Sequence, residues 1–203
     1  MRVVIAGFGP FPGAPTNPST QLVKALTRAR RPALADIVLR THVFATAYAA
    51  VDHDLPKLFA ARPDVVLIFG VAVRRRHVCI ETRARNAVSV LFPDADGYRP
   101  RASVIAAGEP ASRRGNAPFA RLLAAVRGSG VPARLSRDAG RYLCNYAYWR
   151  ALQRTKGSLV AFVHIPPLRR TPRRKGKRLA PSLQQLARAA EAVLIALVTA
   201  SRR

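Results

Sequence analysis

The sequence predicts an α/β fold built on a largely parallel sheet with helices on both faces. Three short apolar runs, residues 2–6, 64–69 and 159–165, are each followed by a glycine or proline, which is typical of buried strands. Segments with helical spacing of apolar residues separate these runs. Strands that alternate with helices pair in parallel, because each helix crosses back over the sheet. No internal repeat or domain break interrupts the pattern, so one domain is expected.

Further elements fill the intervals between these runs. Ser19 is a suitable N-cap for a helix to about residue 30, and a helix over residues 47–61 is disturbed by Pro56. Residues 77–86 alternate enough to form another strand. The remaining predicted strands are residues 33–43 and 133–136, with a hairpin arm at residues 101–106. The remaining predicted helices are residues 116–127, 141–154 and 181–200.

Composition favours an ordinary globular protein of the cytoplasm. The chain has 203 residues, of which 49% are apolar, and this is enough for one domain with a hydrophobic core. Two cysteines do not make a disulfide framework, so a reducing compartment is the natural interpretation. Gly7 and Pro10 come too early for a signal-peptide core, and the apolar run at residues 192–200 is too short to span a bilayer. We therefore expect no membrane partner.

The net charge of +25 is extreme and has two interpretations. It either marks a surface that attracts nucleic acid or another polyanion, or reflects a general compositional drift toward arginine. Much of the charge is scattered, but residues 169–178 are densely basic and contain a proline and a glycine, which favours a loop. Such a loop would bind phosphates non-specifically at low salt, and no nucleic-acid-binding motif accompanies it.

Cys144 is the strongest candidate for a catalytic residue. It follows a turn broken by Gly140 and stands where a helical pattern begins, so unpaired N–H groups and the helix dipole would favour its thiolate form. His164 lies in a later apolar run, and Glu81 is one of few acids in the chain. These three residues are able to form a cysteine-hydrolase triad. The alternative is that Cys144 is a small buried hydrophobic residue.

The glycine-rich segment at residues 7–13 does not fit a dinucleotide-binding loop. Its third glycine position is Pro12, and the prolines leave few N–H donors for a pyrophosphate. What remains is a rigid loop that carries Phe8 and Phe11. Their rings either form the walls of a site for a small, flat, apolar ligand or pack into the core at the end of a strand.

Metal binding is not favoured. His77, Cys79 and Glu81 recur at period two, which would place all three on one face of a strand. No Cys-x-x-Cys pair and no second histidine cluster supports a metal site, so we predict none.

Five segments together resemble a known family. They are Gly7-Phe8-Gly9-Pro10-Phe11 with Asn17-Pro18-Ser19, Glu81 with Asn86 and Pro93-Asp94, Ser136 and Ala139-Gly140 with Tyr142-Leu143-Cys144-Asn145-Tyr146, Phe162-Val163-His164-Ile165-Pro166, and Ala180-Pro181-Ser182-Leu183. In this order and spacing, the chain resembles the pyroglutamyl-peptidase I family, also called pyrrolidone-carboxylate peptidases. The resemblance extends from the N-terminal loop to the last helix.

The resemblance implies a single-domain α/β/α sandwich over residues 1–203, with a mostly parallel, partly mixed sheet. It implies no cofactor and a cytoplasmic homo-oligomer, either a dimer or a tetramer. The implied reaction removes N-terminal pyroglutamate from peptides through an acyl-enzyme, with Cys144 as nucleophile, His164 as base and acid, and Glu81 orienting the imidazole. The implied substrate-binding residues are Phe8, Phe11, Asn17, Gly70 and Val71, with the two phenylalanines flanking the lactam ring.

Three positions depart from the pattern of that family. Val71 stands where the family usually has glutamine, Leu91 where it has an arginine thought to support the oxyanion, and Thr82 where it has another arginine. Arg83 and Arg85, which period two places on the face of Glu81, either compensate or pair with Glu81 and draw it away from His164.

Three hypotheses therefore stay open at the level of the sequence. The first is an active pyroglutamyl peptidase, and the second is a related cysteine hydrolase with altered specificity or weakened activity. The third is a non-enzymatic polyanion-binding protein.

Overall fold

A six-stranded sheet runs through the centre of the protein in the computed structural model, which describes residues 1–11, 16–168 and 180–202. The strands of this sheet are β1 (Arg2–Phe8), β2 (Val38–Phe44), β3 (Val65–Val71), β4 (Val78–Glu81), β7 (Ala133–Ser136) and β8 (Leu159–Ile165). A separate two-stranded ladder pairs β5 (Arg83–Arg85) with β6 (Ser112–Arg114). The helices are α1 (Pro18–Thr27), α2 (Tyr48–Ala60), α3 (Phe119–Gly128), α4 (Leu143–Gln153) and α5 (Leu183–Ser201), with a 3₁₀ turn at Pro32–Leu34.

The central sheet is mostly parallel and partly mixed, as predicted. Its order is β2-β1-β3-β8-β4-β7. The first four strands in this order pair in parallel, and β4 pairs in parallel with β7. Only the junction between β8 and β4 is antiparallel. That junction brings Glu81 on β4 and His164 on β8 to neighbouring strands.

Both faces of the sheet are covered, which confirms the predicted α/β/α sandwich. Helices α1, α3 and α5 pack together on one face, and α2 and α4 pack together on the other. Alternate residues of β3 enter the two cores: Val65 and Leu67 join the first, and Val66 and Ile68 join the second. This double burial explains why the strand is apolar at every position rather than at every second one.

Helix α5 is long and apolar enough to cross a membrane by length and composition alone. Its apolar stripe, however, packs in the core beneath α1 and α3, with Leu186, Val193 and Leu197 each no more than 1% exposed. Ser182 begins the helix by accepting a hydrogen bond from the backbone N–H of Gln185, whose side chain in turn accepts from the N–H of Ser182. The helix therefore has the packing and the cap of a core helix.

The prediction of one continuous strand over residues 77–86 is wrong. The strand breaks at Thr82, whose N–H donates to the carbonyl oxygen of Ser136 while its own carbonyl accepts from Gly115. Beyond the break the chain pairs with β6 instead of continuing in the main sheet. Arg83 and Arg85 are therefore not on the strand that carries Glu81.

The predicted hairpin arm at residues 101–106 is also wrong. The side chain of Asn86 bonds this segment directly: its Oδ1 accepts from the N–H groups of Ile105 and Ala106, and its Nδ2 donates to the carbonyl oxygen of Ala106. A buried amide thus replaces a strand partner. The strand that pairs with β5 comes later, at Ser112–Arg114.

Two other predicted boundaries shift. The chain forms the 3₁₀ turn at Pro32–Leu34 before β2 starts, so the predicted strand over residues 33–43 began too early. Asn17, not Ser19, caps α1: its Oδ1 accepts from the N–H of Ser19, and Pro18 occupies the first turn, where its missing N–H costs nothing. The predicted basic loop over residues 169–178 lies outside the described residues.

Candidate active site

Cys144 is the second residue of α4, as the sequence predicts for a reactive thiol. The preceding turn contains Gly140 with φ of 85°, a left-handed conformation that glycine adopts without strain. The Asp138 carboxylate accepts a hydrogen bond from the N–H of Gly140 and fixes that turn. Tyr142 is the N-cap and provides no side-chain cap. The N–H of Cys144 lies in the first turn and therefore has no acceptor within the helix.

The Asn145 side chain connects the beginning of α4 by hydrogen bonds to the chain that follows β4. It is 0% exposed and makes three hydrogen bonds, accepting from the N–H of Arg85 and donating to the carbonyl oxygens of Arg85 and Ala87. A buried amide with all these partners satisfied holds one geometry. The position of the adjacent Cys144 is fixed with it.

Gly70 provides the space in which the thiol lies. It is in register with His164 on the neighbouring strand. A β-carbon at residue 70 would lie 2.8 Å from Cys144 Sγ and 2.9 Å from a ring carbon of Phe162. No side chain larger than hydrogen fits, so the sulfur rests against the strand backbone beside His164.

His164 and Glu81 are directly hydrogen-bonded. His164 Nδ1 lies 2.8 Å from Glu81 Oε1, and the two residues are 5% and 0% exposed. With Nδ1 engaged by the carboxylate, Nε2 is the nitrogen that remains for Cys144. The order nucleophile, imidazole and buried carboxylate is that of a hydrolase triad.

The electrostatics of the site favour an imidazolium at His164 beside an ionised Glu81 carboxylate. Burial by itself lowers the pKa of His164, but the interactions with Cys144 and with Glu81 outweigh burial and raise this pKa to about 9. Burial likewise raises the pKa of Glu81, but the hydrogen bond and charge of His164, the Ser136 hydroxyl and the charge of Arg75 outweigh it and lower the pKa overall. Glu81 is therefore ionised and His164 protonated at neutral pH.

Arg75 is a member of the site that the sequence did not reveal. Its Nη1 lies 2.8 Å from Glu81 Oε1, the same oxygen that faces His164, and its Nη2 donates to the carbonyl oxygen of Asp138 at 2.7 Å. The guanidinium thus joins the Glu81 carboxylate to the turn that precedes Cys144. From the strand period, Arg83 and Arg85 were expected on the face of Glu81. Arg83 instead donates to the carbonyl oxygen of Arg137, and Arg85 pairs with Asp138.

A cavity of about 300 Å³ opens in front of Cys144 and His164. Four of the five predicted substrate-binding residues line it, namely Phe8, Phe11, Asn17 and Val71. The fifth, Gly70, lies beneath the thiol and not among the lining residues. The walls of the cavity are mainly apolar side chains, which suit a flat ligand with few charges.

A sequence model of the family described as pyroglutamyl peptidase matches residues 1–203. The chain belongs to the pyroglutamyl peptidase family. It is 33% identical over 171 residues to the pyrrolidone-carboxylate peptidase of Thermococcus kodakarensis, covering 82% of this chain and 81% of that protein. It is 34% identical over 172 residues to pyrrolidone-carboxylate peptidase 1 of Ralstonia nicotianae, covering 82% and 78%. Membership confirms the predicted class of enzyme, a cysteine-type omega peptidase.

Solved structures of the family have the same fold. The pyrrolidone carboxyl peptidase of Thermus thermophilus is similar with a TM-score of 0.84 and 31% identity, over 96% of this chain and 100% of that one. The pyrrolidone carboxyl peptidase of Fervidobacterium islandicum AW-1 is similar with a TM-score of 0.85 and 27% identity, over 96% and 97%. The resemblance noted in the sequence is therefore confirmed at the level of family and fold.

Two departures from the family pattern have different structural settings. Val71 lines the cavity and adds to its apolar wall. Leu91 is 72% exposed and does not line the cavity. The backbone near it still reaches the site, because the N–H of Ser89 donates to the carbonyl oxygen of Arg141, and Arg141 does line the cavity.

The loop that carries Phe8 is held by polar side chains beneath it. Asn17 Nδ2 and the Thr46 hydroxyl both donate to the carbonyl oxygen of Gly9, and the Ser19 hydroxyl accepts from the N–H of Phe8. Phe8 is 3% exposed and packs on Phe44 with ring centroids 5.5 Å apart. Phe8 therefore belongs to the core and to the cavity wall at once.

His77, Cys79 and Glu81, whose spacing was weighed for metal binding, are not grouped as metal ligands in the described residues. Within the described ranges, no group of three or more histidine, cysteine, aspartate or glutamate side chains is placed to hold a metal ion. His77 lies before the start of β4, whereas Cys79 is buried and pairs in register with His164. Both cysteines are free thiols.

Proposed function

We propose that this enzyme removes N-terminal pyroglutamate from peptides through Cys144, His164 and Glu81. The single observation that carries the proposal is the hydrogen bond of 2.8 Å between His164 and the buried Glu81, next to a thiol at the start of a helix. A histidine held in this way has its second nitrogen directed toward the thiol. Family membership supports the same reaction.

Acylation begins when the Cys144 thiolate attacks the carbonyl carbon that joins pyroglutamate to the next residue. A carbon–sulfur bond forms, and the negative charge that develops on the oxygen is stabilised by the backbone N–H of Cys144. The carbon–nitrogen bond then breaks, and the His164 imidazolium donates its proton to the leaving amine. The products of this step are a thioester on Cys144 and a shortened peptide.

Deacylation uses the same groups in reverse. Neutral His164 takes a proton from water, and the hydroxide attacks the thioester carbon. The carbon–sulfur bond breaks, releasing pyroglutamate and restoring the thiolate beside the imidazolium. Throughout the cycle Glu81 holds the imidazole at Nδ1, and Arg75 holds Glu81.

The cavity supports an uncharged five-membered ring as the ligand. Phe8, Phe11 and Val71 offer flat apolar surfaces on its wall, and a lactam ring carries no charge to be desolvated.

The experiment is release of a fluorescent amine from a pyroglutamyl amide. We expect hydrolysis by the wild type, loss of detectable hydrolysis in Cys144→Ala, and a large loss in Glu81→Gln, which keeps the shape but removes the charge. Cys79→Ala is the matched control, because it removes the other free thiol and retains the triad. A wild type that never releases the amine contradicts the proposal.

A second candidate is a cysteine hydrolase with altered specificity, which Val71 favours because it makes the cavity wall apolar where the family usually has glutamine. A thiol-directed probe distinguishes the two. Labelling of Cys144 at neutral pH with no hydrolysis of any pyroglutamyl substrate favours altered specificity. Absence of labelling contradicts both candidates.

We also propose a homo-oligomer, the dimer or tetramer implied by the family resemblance. Five of the nine exposed large hydrophobic side chains of the described residues fall between residues 90 and 104, namely Val90, Leu91, Phe92, Tyr98 and Val104. Light scattering tests this proposal, and a monomer at all concentrations contradicts it. Cytoplasmic location and non-specific attraction of nucleic acid to the basic surface stay predictions.

A further inference from the structure

Three arginine residues line the cavity that contains Cys144 and His164, and one of them, Arg75, is paired with Glu81. The other two are Arg74 and Arg141. Both residues are exposed. Across residues 1–11, 16–168 and 180–202, neither guanidinium group makes a hydrogen bond or an ion pair. No aspartate or glutamate is found among the described residues that line the cavity. The mouth of the site therefore carries positive charge without local compensation.

Arg74 lies in a turn that is anchored to the end of β8, next to His164. The N–H of Ala72 donates to the carbonyl oxygen of Ile165, the residue after His164, and the N–H of Arg75 donates to the carbonyl oxygen of Ala72. The Arg75 side chain is fixed on Glu81. Arg74 is thus placed in an anchored turn next to the imidazole that protonates the leaving amine.

Arg141 lies in the turn before α4, three residues before Cys144. Its carbonyl oxygen accepts from the N–H of Ser89 at 2.6 Å, and the next residue, Tyr142, caps α4. Its backbone is therefore as well fixed as that of Arg74. Both cations thus belong to the lining of the cavity that contains the thiol.

These charges have no partner in the pyroglutamyl ring, which is neutral and is matched by the apolar wall of Phe8, Phe11 and Val71. They face the part of the substrate that follows the ring. We propose that Arg74 and Arg141 make the enzyme prefer peptides with an acidic residue directly after pyroglutamate. The proposal rests on the function proposed above and names the class of peptide that the same site takes.

The experiment compares three peptide amides, pyroglutamyl-glutamyl, pyroglutamyl-alanyl and pyroglutamyl-lysyl, whose amidated ends remove the terminal carboxylate. An exposed ion pair increases binding affinity by about two- to fivefold. We therefore expect kcat/KM for the glutamyl peptide to exceed that for the alanyl peptide about fivefold, with the lysyl peptide the poorest. Because the charges are exposed, 0.5 M NaCl is expected to reduce the ratio.

The double variant Arg74→Gln/Arg141→Gln is expected to bring the glutamyl-to-alanyl ratio close to one. Arg121→Gln, which removes an exposed arginine of α3 outside the cavity, is the control and is expected to keep the ratio of the wild type. If the double variant and Arg121→Gln lose the preference for the glutamyl peptide equally, the preference comes from the overall charge of the protein. That result would overturn the proposal. So would a wild type with no preference.

Binding to Cys144→Ala separates this proposal from the proposed function. Calorimetric titration of that variant with the glutamyl and alanyl peptide amides measures the preference without any turnover. Tighter binding of the glutamyl peptide supports the arginine assignment even if the wild type hydrolyses neither peptide. Equal binding of the two overturns the assignment even if both are hydrolysed.

Discussion

Gly70 and Cys144 are packed so closely that the absence of a side chain at residue 70 determines where the Cys144 thiol lies. A β-carbon there would be 2.8 Å from the sulfur, well inside van der Waals contact. The opposite neighbour, Phe162, is 0% exposed and has no room to withdraw. The thiol is the group that would move, and with it the alignment of the triad.

We therefore expect Gly70→Ala to fold but to lose activity. Overpacking costs about 1–3 kcal/mol of stability, and a displacement of the nucleophile by about 1 Å costs on the order of a hundredfold in rate. The measurements are kcat/KM on a pyroglutamyl amide and the midpoint of urea unfolding. Gly128→Ala at the end of α3, where nothing lies within 4 Å of the new β-carbon, is the control and is expected to keep full activity. Full activity in Gly70→Ala contradicts the packing argument.

Arg75→Gln is expected to lower kcat about tenfold, since hydrogen bonds to charged groups contribute about 1.5–3 kcal/mol. The variant also loses a positive charge that lowers the pKa of Glu81, so the acid limb of the pH–rate profile should move to higher pH. Rate measurements from pH 4 to 9 test both effects. Arg76→Gln, an exposed neighbour, is the comparison, and equal behaviour of the two variants rules out a positioning role for Arg75.

The parts of the fold that sequence reasoning located well are those buried on both faces. β1, β3 and β8 are apolar at nearly every position, so their existence and approximate ends follow from hydropathy alone. The short strands β5 and β6 carry five arginine or serine residues and pair only with each other. Their pairing depends on Asn86, whose side chain donates a hydrogen bond to backbone 20 residues away. No local sequence pattern predicts such a contact.

The residues of the candidate site also differ in whether the sequence predicts them. Cys144, His164 and Glu81 were found because their residue types are chemically suited to catalysis and their motifs are distinctive. Arg75 is the middle residue of the run Arg74-Arg75-Arg76, and nothing in the sequence separates it from its neighbours. The turn after β3 distinguishes Arg75 from its neighbours, because it directs this one of three identical side chains to Glu81.

Asn145→Ala is expected to destabilise the protein by about 3 kcal/mol. The variant removes three hydrogen bonds and leaves the N–H and carbonyl groups of Arg85, and the carbonyl of Ala87, buried without those partners. Urea unfolding followed by circular dichroism measures the loss. Gln184→Ala removes an exposed amide from α5 and should change the free energy of unfolding by less than about 0.5 kcal/mol. A similarly small change for Asn145→Ala contradicts the role assigned to the buried amide.

The charge state of His164 is expected to depend on Cys144. Its pKa is raised to about 9 although burial opposes this, because the thiol and Glu81 both favour the imidazolium. A pKa above the unfolded value of about 6.5 adds stability that is complete below pH 6.5 and is lost as the pH rises through about 9. In Cys144→Ala the contribution of the thiol disappears while burial remains, so the pKa of His164 should fall.

Two-dimensional NMR of the imidazole nitrogens across pH 5 to 10 measures this pKa in both proteins. His77 is an internal control: burial and the charges of Arg134 and Arg75 lower its pKa, and none of these involves Cys144. We expect the His164 titration to move to lower pH in Cys144→Ala and the His77 titration to stay in place. In the wild type, kcat/KM should decline above about pH 9, where His164 loses the proton that the leaving amine needs. An identical His164 titration in the two proteins would show that the thiol and the imidazole are not coupled, and the ion pair on which the proposed mechanism depends would then be absent.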